Sequence, residues 1–296
     1  MDIGRIGIWT FTLDLVPSAR SVEHVDELDE LGFGAVWIPE AVGREAFTSA
    51  SLLLRGGTDI TVATGIAGIY GRDPMAANAA HRTLTEAYPD RFLLGLGVSH
   101  QVMVEGVRKH DYSKPFSAMR NYLDAMDEAM FFAAPPATEP QRVLAALGPR
   151  MLALARDRSA GAFPYFVPPE HTAVARGVLG DGPLLAVEQA VVFETDPAKA
   201  RDIARSHTKT YTPLPNYTNN LRRLDPTWTD EDFAHAGSDR LVDTIVAWGT
   251  EDAIIARIQA HLDAGADHVC IQVVADGVEP PVDAWRRLSA AFGLTA

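Results

Sequence analysis

The sequence predicts a (β/α)8 TIM barrel with a helical insertion after strand 7. Short apolar runs, rich in β-branched residues and glycine, alternate with helical stretches about eight times along the 296 residues. Most of these runs are continuously apolar rather than alternating, which suits strands covered on both faces of a parallel sheet. The length fits a barrel of about 250 residues carrying one insertion. The competing architecture is a doubly wound open sheet, whose dinucleotide fingerprint would place G-x-G-x-x-G after the first strand. Here that strand runs into Thr12-Leu13-Asp14, and Gly95-Leu96-Gly97 continues as Val98-Ser99-His100 without a third glycine.

The strands are expected at residues 5–11, 35–40, 60–69, 92–98, 143–147, 160–167, 184–193 and 268–274. Between the first two, residues 18–31 place Val22, Val25, Leu28 and Leu31 at spacing three, a helical face. Asp73 followed by Pro74 is a helix start signal for residues 74–88, and Asp196-Pro197 repeats it before 199–207. Residues 116–132, 169–179 and 252–264 complete the helices; Thr250 caps the last and Gly265 stops it. The insertion spans residues 195–250 and is long enough to cover the barrel mouth, so residues 1–296 read as a single domain.

Composition excludes several function classes. The chain is 47% hydrophobic, too apolar for a disordered protein. Its 26 basic against 39 acidic residues give a net charge of −13, which argues against binding nucleic acid or an anionic membrane surface. A single cysteine, Cys270, excludes an intrachain disulfide and a Cys-based metal centre; mid-strand between Val269 and Ile271, it reads as a core thiol. No His/Asp/Glu cluster has metal-ligand spacing, so no metal is expected. No apolar run reaches the roughly 20 residues of a membrane span. The N-terminus lacks a basic stretch leading into an apolar core, and a cytoplasmic protein acting on a small-molecule substrate is expected.

Barrel chemistry sits at the carboxyl ends of the strands. Strand 2 ends at Glu40, and strand 4 at Val98-Ser99-His100. Glu40 and His100 are the candidates for a proton role, a histidine near neutrality and a carboxyl raised toward it by burial. Glu40 reads equally as a buried carboxylate tying down loops, and His100 as a hydrogen-bonding or structural group. After strand 3, Gly65, Gly68 and Gly71 fall within seven residues, a sign of a bulge or of backbone approaching a ligand, or of a loose turn. Gly148-Pro149-Arg150 opens a helix whose N–H groups would favour an anion. Trp9 and Tyr70 could line a substrate pocket. Trp228 and Tyr217, in the insertion, could cap it or anchor a lid.

Five stretches, in order along nearly the whole chain, resemble the luciferase-like monooxygenase family: Leu31-Gly32-Phe33-Gly34-Ala35-Val36-Trp37; Ala63-Thr64-Gly65-Ile66 followed by Arg72-Asp73-Pro74; Asp90-Arg91-Phe92-Leu93-Leu94-Gly95-Leu96-Gly97; Ala145-Ala146-Leu147-Gly148-Pro149-Arg150-Met151; and Trp248-Gly249-Thr250 with Ala264-Gly265-Ala266-Asp267-His268-Val269. The branch most similar is that of coenzyme F420-dependent oxidoreductases. The resemblance implies a non-proline cis peptide at Gly65–Ile66, set against the central ring of a deazaflavin, with Ala67 beside it. It implies Val98, Ser99 and His100 along the ring and ribityl chain, and Gly148, Pro149 and Arg150 on the phosphate side with Tyr165 and Phe166. Sugar-phosphate dehydrogenases of the family carry Asp-His at strand 2, where this chain has Glu40-Ala41, which sets that reaction apart. The activity implied is hydride transfer between F420 and a small organic substrate. FMN-dependent monooxygenation and a flavin- or phosphate-binding barrel without turnover stand as alternatives. Homodimerisation is implied by the resemblance alone.

Overall fold

The computed structural model describes residues 1–275 and 277–295. The chain runs β1 (Ile6–Trp9), α1 (Ser18–Glu30), β2 (Ala35–Ile38), α2 (Ala46–Leu53), β3 (Thr61–Thr64), β4 (Ala67–Gly68), α3 (Pro74–Ala87) and β5 (Phe92–Gly97). It continues as α4 (Pro115–Asp127), β6 (Gln141–Leu144), α5 (Pro149–Arg158), β7 (Gly161–Ala162), α6 (Pro169–Leu179) and β8 (Leu184–Val192). After β8 come α7 (Pro197–Tyr211), α8 (Pro215–Leu224), α9 (Asp230–Phe233), α10 (Asp239–Ile245), β9 (Ala247–Trp248), α11 (Glu251–Asp263), β10 (His268–Val273) and α12 (Val282–Phe292).

All strand pairings are parallel, in the order β10-β1-β2-β3-β5-β6-β7-β8, and β10 also pairs with β8, which closes the ring. This is the TIM barrel the alternating pattern predicts. The bulged third strand splits into β3 and β4, and β4 pairs with β5 through Ala67↔Leu96 and Gly68↔Gly97. The two-residue β9 extends β8 outside the ring. The helix expected over 116–132 ends at Asp127, where Arg158 holds Asp124 and Asp127, at 2.7 and 2.9 Å. The apolar stretch beyond it leaves the helix, and Phe132 is 93% exposed.

Inside the barrel, alternate residues of the strands meet: Trp9, Trp37, Ala63, Leu93, Val143, Phe163, Ala186 and Cys270 form one buried cluster. Trp37 stacks on Phe163, centroids 4.4 Å apart. Its Nε1–H donates to His268 Nε2 at 3.0 Å, so His268 carries its proton on Nδ1 and donates to the Gly4 carbonyl at 2.8 Å. The outward faces of the strands pack on the helices in the main core. A further cluster joins Phe166, Ala190 and Val192 to Ala200, Ala204, Tyr217, Leu221 and Leu241 of the segment after β8.

Burial holds His81, His207 and His261 near pKa 3 and His268 near 4, against an ordinary 6.5. These depressed values make the unfolded chain the better proton binder below pH 6.5. Each group then removes about 1.4 kcal/mol per pH unit. Four acting together exhaust a stability of about 5–15 kcal/mol within a few pH units. Unfolding is therefore expected between about pH 4 and pH 6, read by far-UV circular dichroism; a native spectrum well below that range would contradict it.

Candidate active site

Glu40 follows β2, and its carboxylate is 4% exposed. Oε2 accepts the Gly68 N–H at 2.7 Å, and Oε1 accepts from Ala46 N at 3.3 Å and from Arg72 Nη2. Arg72 also donates to the Gly68 carbonyl at 3.1 Å and pairs with Glu45 at 2.7 Å. Glu45 in turn caps α2. Both oxygens of Glu40 are thus committed to holding the segment after the strand-3 bulge, the loop-tying arrangement rather than a free acid or base.

The Gly65–Ile66 peptide is cis. Trp9 Nε1–H donates to the Gly65 carbonyl at 2.9 Å, which ties the bulge to the end of strand 1. The Ile66 side chain lies over Gly97 and beside Gly95 of β5. A Cβ at Gly97 would collide with the end of the Ile66 side chain, whereas one at Gly95 would strike the Thr64 carbonyl. Gly97→Ala is therefore expected to fold at a cost of about 1–3 kcal/mol and to push Ile66 aside. Urea unfolding and a structure of the variant check both; an unmoved Ile66 would contradict the second.

Around this seat, rings form a continuous wall. Trp9 and Tyr165 are 5.4 Å apart, Tyr165 and Tyr217 6.3 Å, and Tyr217 and His100 5.4 Å. Phe166 packs on Tyr217 and Tyr211 at 5.3 and 5.1 Å, and His207 lies 5.0 Å from Tyr211. His100 Nδ1 is buried without a partner, and burial lowers the ring's pKa, so His100 is neutral at pH 7. Ser99, in left-handed backbone at φ 55°, offers its carbonyl to the Tyr112 hydroxyl at 2.9 Å. Val98 is partly buried against the main core.

The α5 N-terminus at Gly148 has no side-chain cap, unlike α3, α7 and α11, and Pro149 supplies no N–H there. The Arg150 guanidinium lies over the Phe116 ring, 4.3 Å from its centroid. The cation nearest Gly148 is instead Arg223 of α8: its Nη1 is 3.7 Å from where a Gly148 Cβ would sit, and donates to Asn220 Oδ1 at 3.0 Å. Asn220 is 2% exposed, and its Nδ2 has no partner.

The structure thus brings Trp9, Gly65, Tyr165, Phe166 and His100 into one wall and leaves others apart. Tyr70 stacks on His110 and lies tilted against Tyr112, centroids 6.3 and 6.1 Å apart. Trp228 packs on Arg240 and Phe233, at 3.8 and 5.8 Å, within the segment after β8. Sequence reasoning missed Arg72 as the partner of Glu40, Arg223 and Asn220 beside Gly148, Tyr211 as the neighbour of Tyr217, and Glu188 inside the barrel. Glu188 left a signal: one acid in the otherwise apolar Leu184-Leu185-Ala186-Val187 run.

No described helix is long and apolar enough to cross a membrane. The chain is 27% identical over 213 residues to a protein of Mycobacterium tuberculosis provisionally named a coenzyme F420-dependent oxidoreductase, covering 62% of this chain and 60% of that protein. In fold it is similar to an F420-dependent secondary alcohol dehydrogenase solved with an F420–acetone adduct (TM-score 0.78, 15% identity, 97% of this chain and 98% of that one). It is also similar to the F420-dependent tetrahydromethanopterin reductase of Methanopyrus kandleri (0.72, 16%, 96% of each). The FMN-bound oxygenating constituent of 3,6-diketocamphane monooxygenase of Pseudomonas putida is similar as well (0.65, 14%, 97% and 96%). The model of the luciferase-like monooxygenase family matches residues 8–268, and with the barrel closed and its third strand bulged as described, the chain belongs to that family.

Proposed function

We propose that this protein is an F420-dependent oxidoreductase that moves a hydride between the deazaflavin and a small organic substrate. The observation that carries the reading is a main-chain seat at Gly65–Ile66, fixed from one side by Trp9 and from the other by Glu40 and Arg72. Unpartnered polar atoms stand nearby: His100 Nδ1 on one flank, and Asn220 Nδ2 beside the uncapped α5. Such atoms cost free energy when buried, and a polar ligand would satisfy them. The residues present therefore fit the group.

In this reading Gly65, Ile66 and Ala67 lie against the ring, with Val98, Ser99 and His100 along it. Gly148, Arg223 and Asn220 face the phosphate at the helix that Pro149 opens, Arg150 packs on Phe116 beside it, and Tyr165 and Phe166 close that side. The bound deazaflavin supplies two-electron hydride chemistry. The protein supplies position and a dry wall of rings. Neutral His100 serves as a hydrogen-bond partner, and Glu40 holds the seat instead of moving a proton. The segment 195–250 covers the mouth through Tyr211 and Tyr217, and the ring of Trp9, with those of Tyr165 and Tyr217, favours a carbonyl or enone on an apolar body.

Titration of the purified protein with F420 and with FMN, followed by absorbance and fluorescence, tests this. Tight binding of F420 and weak binding of FMN supports it; the reverse, with oxygen consumption, moves the protein to the monooxygenases. Binding of neither removes both redox readings. Arg223→Ala is expected to weaken F420 binding by about 1–3 kcal/mol, the worth of a charge-assisted hydrogen bond. An unchanged dissociation constant would remove Arg223 from the phosphate side.

A further inference from the structure

Gln272 is the last inward-facing residue of β10 before the barrel mouth. His268 and Cys270 precede it on the same face, while Val269 and Ile271 turn outward to the helices. Gln272 is 5% exposed. β1 pairs with β10 with Ile8 opposite Ile271, so Trp9 and Gln272, one residue further along each strand, stand side by side at the mouth.

Two phenols brace this amide. The Tyr165 hydroxyl lies 2.8 Å from Gln272 Oε1 and 2.7 Å from the Tyr211 hydroxyl. Oε1 can only accept, so Tyr165 donates to it and Tyr211 donates to Tyr165. With the amide turned over, Nε2 would donate to Tyr165 and Tyr165 to Tyr211, and the Tyr211 proton would have no acceptor among the described residues. The observed orientation satisfies both phenols. Tyr165 also lies 5.4 Å from the Trp9 ring, whose N–H holds the Gly65 carbonyl, so the brace and the seat share one wall. The other half of the amide is left over. Nε2 donates to no group among the described residues and, unlike His100 Nδ1, is not sealed from solvent.

Resting on the oxidoreductase reading, we propose that Gln272 recognises the substrate: its Nε2–H donates to the carbonyl oxygen of a ketone. Topology separates this role from cofactor binding. In that reading the cofactor runs from the strand-3 bulge toward the end of β5 and the start of α5, whereas β10 lies on the other side of β1 and β2 in the ring. In the reducing direction a hydride forms the new C–H bond at the carbonyl carbon, the C=O π pair moves onto the oxygen that Nε2 holds, and solvent water supplies the proton that completes the alcohol. A donor fixed in advance stabilises that oxygen more as its charge grows. Gln272 thus touches the substrate, and Tyr165 and Tyr211 are positioning residues that act through it.

The test uses the protein loaded with oxidised F420, which holds cyclohexanone short of turnover. In infrared difference spectra the C=O stretch of bound cyclohexanone should lie at lower wavenumber in wild type than in Gln272→Leu. Tyr165→Phe, which keeps the amide but removes its brace, should give a band between the two, and it carries the test if Gln272→Leu does not fold. With reduced F420, Gln272→Leu should lose about ten- to a hundredfold in kcat/KM for cyclohexanone. Its F420 affinity should stay within about twofold of wild type. Tyr165→Phe should lose less, and adding it to Gln272→Leu should cost nothing further, as for one residue acting through another. An unshifted band, additive losses, or F420 affinity that falls in step with turnover overturns the proposal, the last by giving the amide to the cofactor. A wild-type protein that binds no F420 overturns the oxidoreductase reading, and this recognition with it.

Discussion

Arg72→Met is expected to lower the unfolding free energy by about 3–5 kcal/mol, because it strands a buried carboxylate. Glu40 is 4% exposed and Arg72 9%, and the guanidinium is their shared means of neutralising charge away from water. Without it, Glu40 keeps only the N–H groups of Gly68 and Ala46. Replacing both partners by apolar or neutral groups is far milder, since no charge is left buried. The double variant Glu40→Gln/Arg72→Met should therefore recover most of the loss. Urea unfolding of the wild type, the two single variants and the double variant measures the coupling. A loss under about 1 kcal/mol in Arg72→Met would show that water reaches the pair.

Glu188→Gln should make the protein more stable than wild type above pH 8. The sign follows from which state holds the proton. The carboxyl titrates near 8 when folded and near its ordinary 4.5 when unfolded. Between those values the folded chain binds the extra proton, so wild-type stability falls as pH rises through the window. The full difference is on the order of 4–5 kcal/mol, all of it lost by about pH 9. The amide keeps an acceptor for the Phe166 N–H and has no charge to bury. Thermal unfolding across this range should show wild type and variant diverging as pH rises; parallel curves would mean that the carboxyl ionises freely. The buried histidines act with the opposite sign and below pH 6.5, which separates the two effects.

What could be read from the sequence depended on whether the signal was local. The strands of the ring announced themselves as continuous apolar runs, and Asp73, Asp196 and Thr250 cap the helices they were expected to start. The glycines after strand 3 signalled a bulge locally, whereas the cis bond at Gly65–Ile66 came from the resemblance, since no spacing rule singles out that bond. Pairings across the chain were illegible: Glu40 and Arg72 lie 32 residues apart, and a strand-end acid alone looks like a catalytic group. Arg223 sits in a segment whose helices follow no repeating pattern with the barrel. Gln189 and Glu188 are adjacent polar residues with opposite fates. Gln189 points outward and is satisfied by His261 Nε2 at 2.9 Å and the Ile245 carbonyl at 2.8 Å, while Glu188 points inward and is not satisfied. Strand periodicity sends them to opposite faces, but only the fold shows what waits on each.

The separate apolar cluster after β8 has a consequence for how the molecule breathes. Its side chains pack largely on one another, meeting the barrel through Phe166, Ala190 and Val192, while the ring of strands rests on its own larger core. Such a unit opens as a local cooperative block at lower free energy than the whole. Amides of α7 and α8 should then exchange with deuterium sooner than those of β1 and β10, and a protease should nick this block while the strands stay intact. Ligands could come and go through that partial opening, with no need for the barrel itself to loosen.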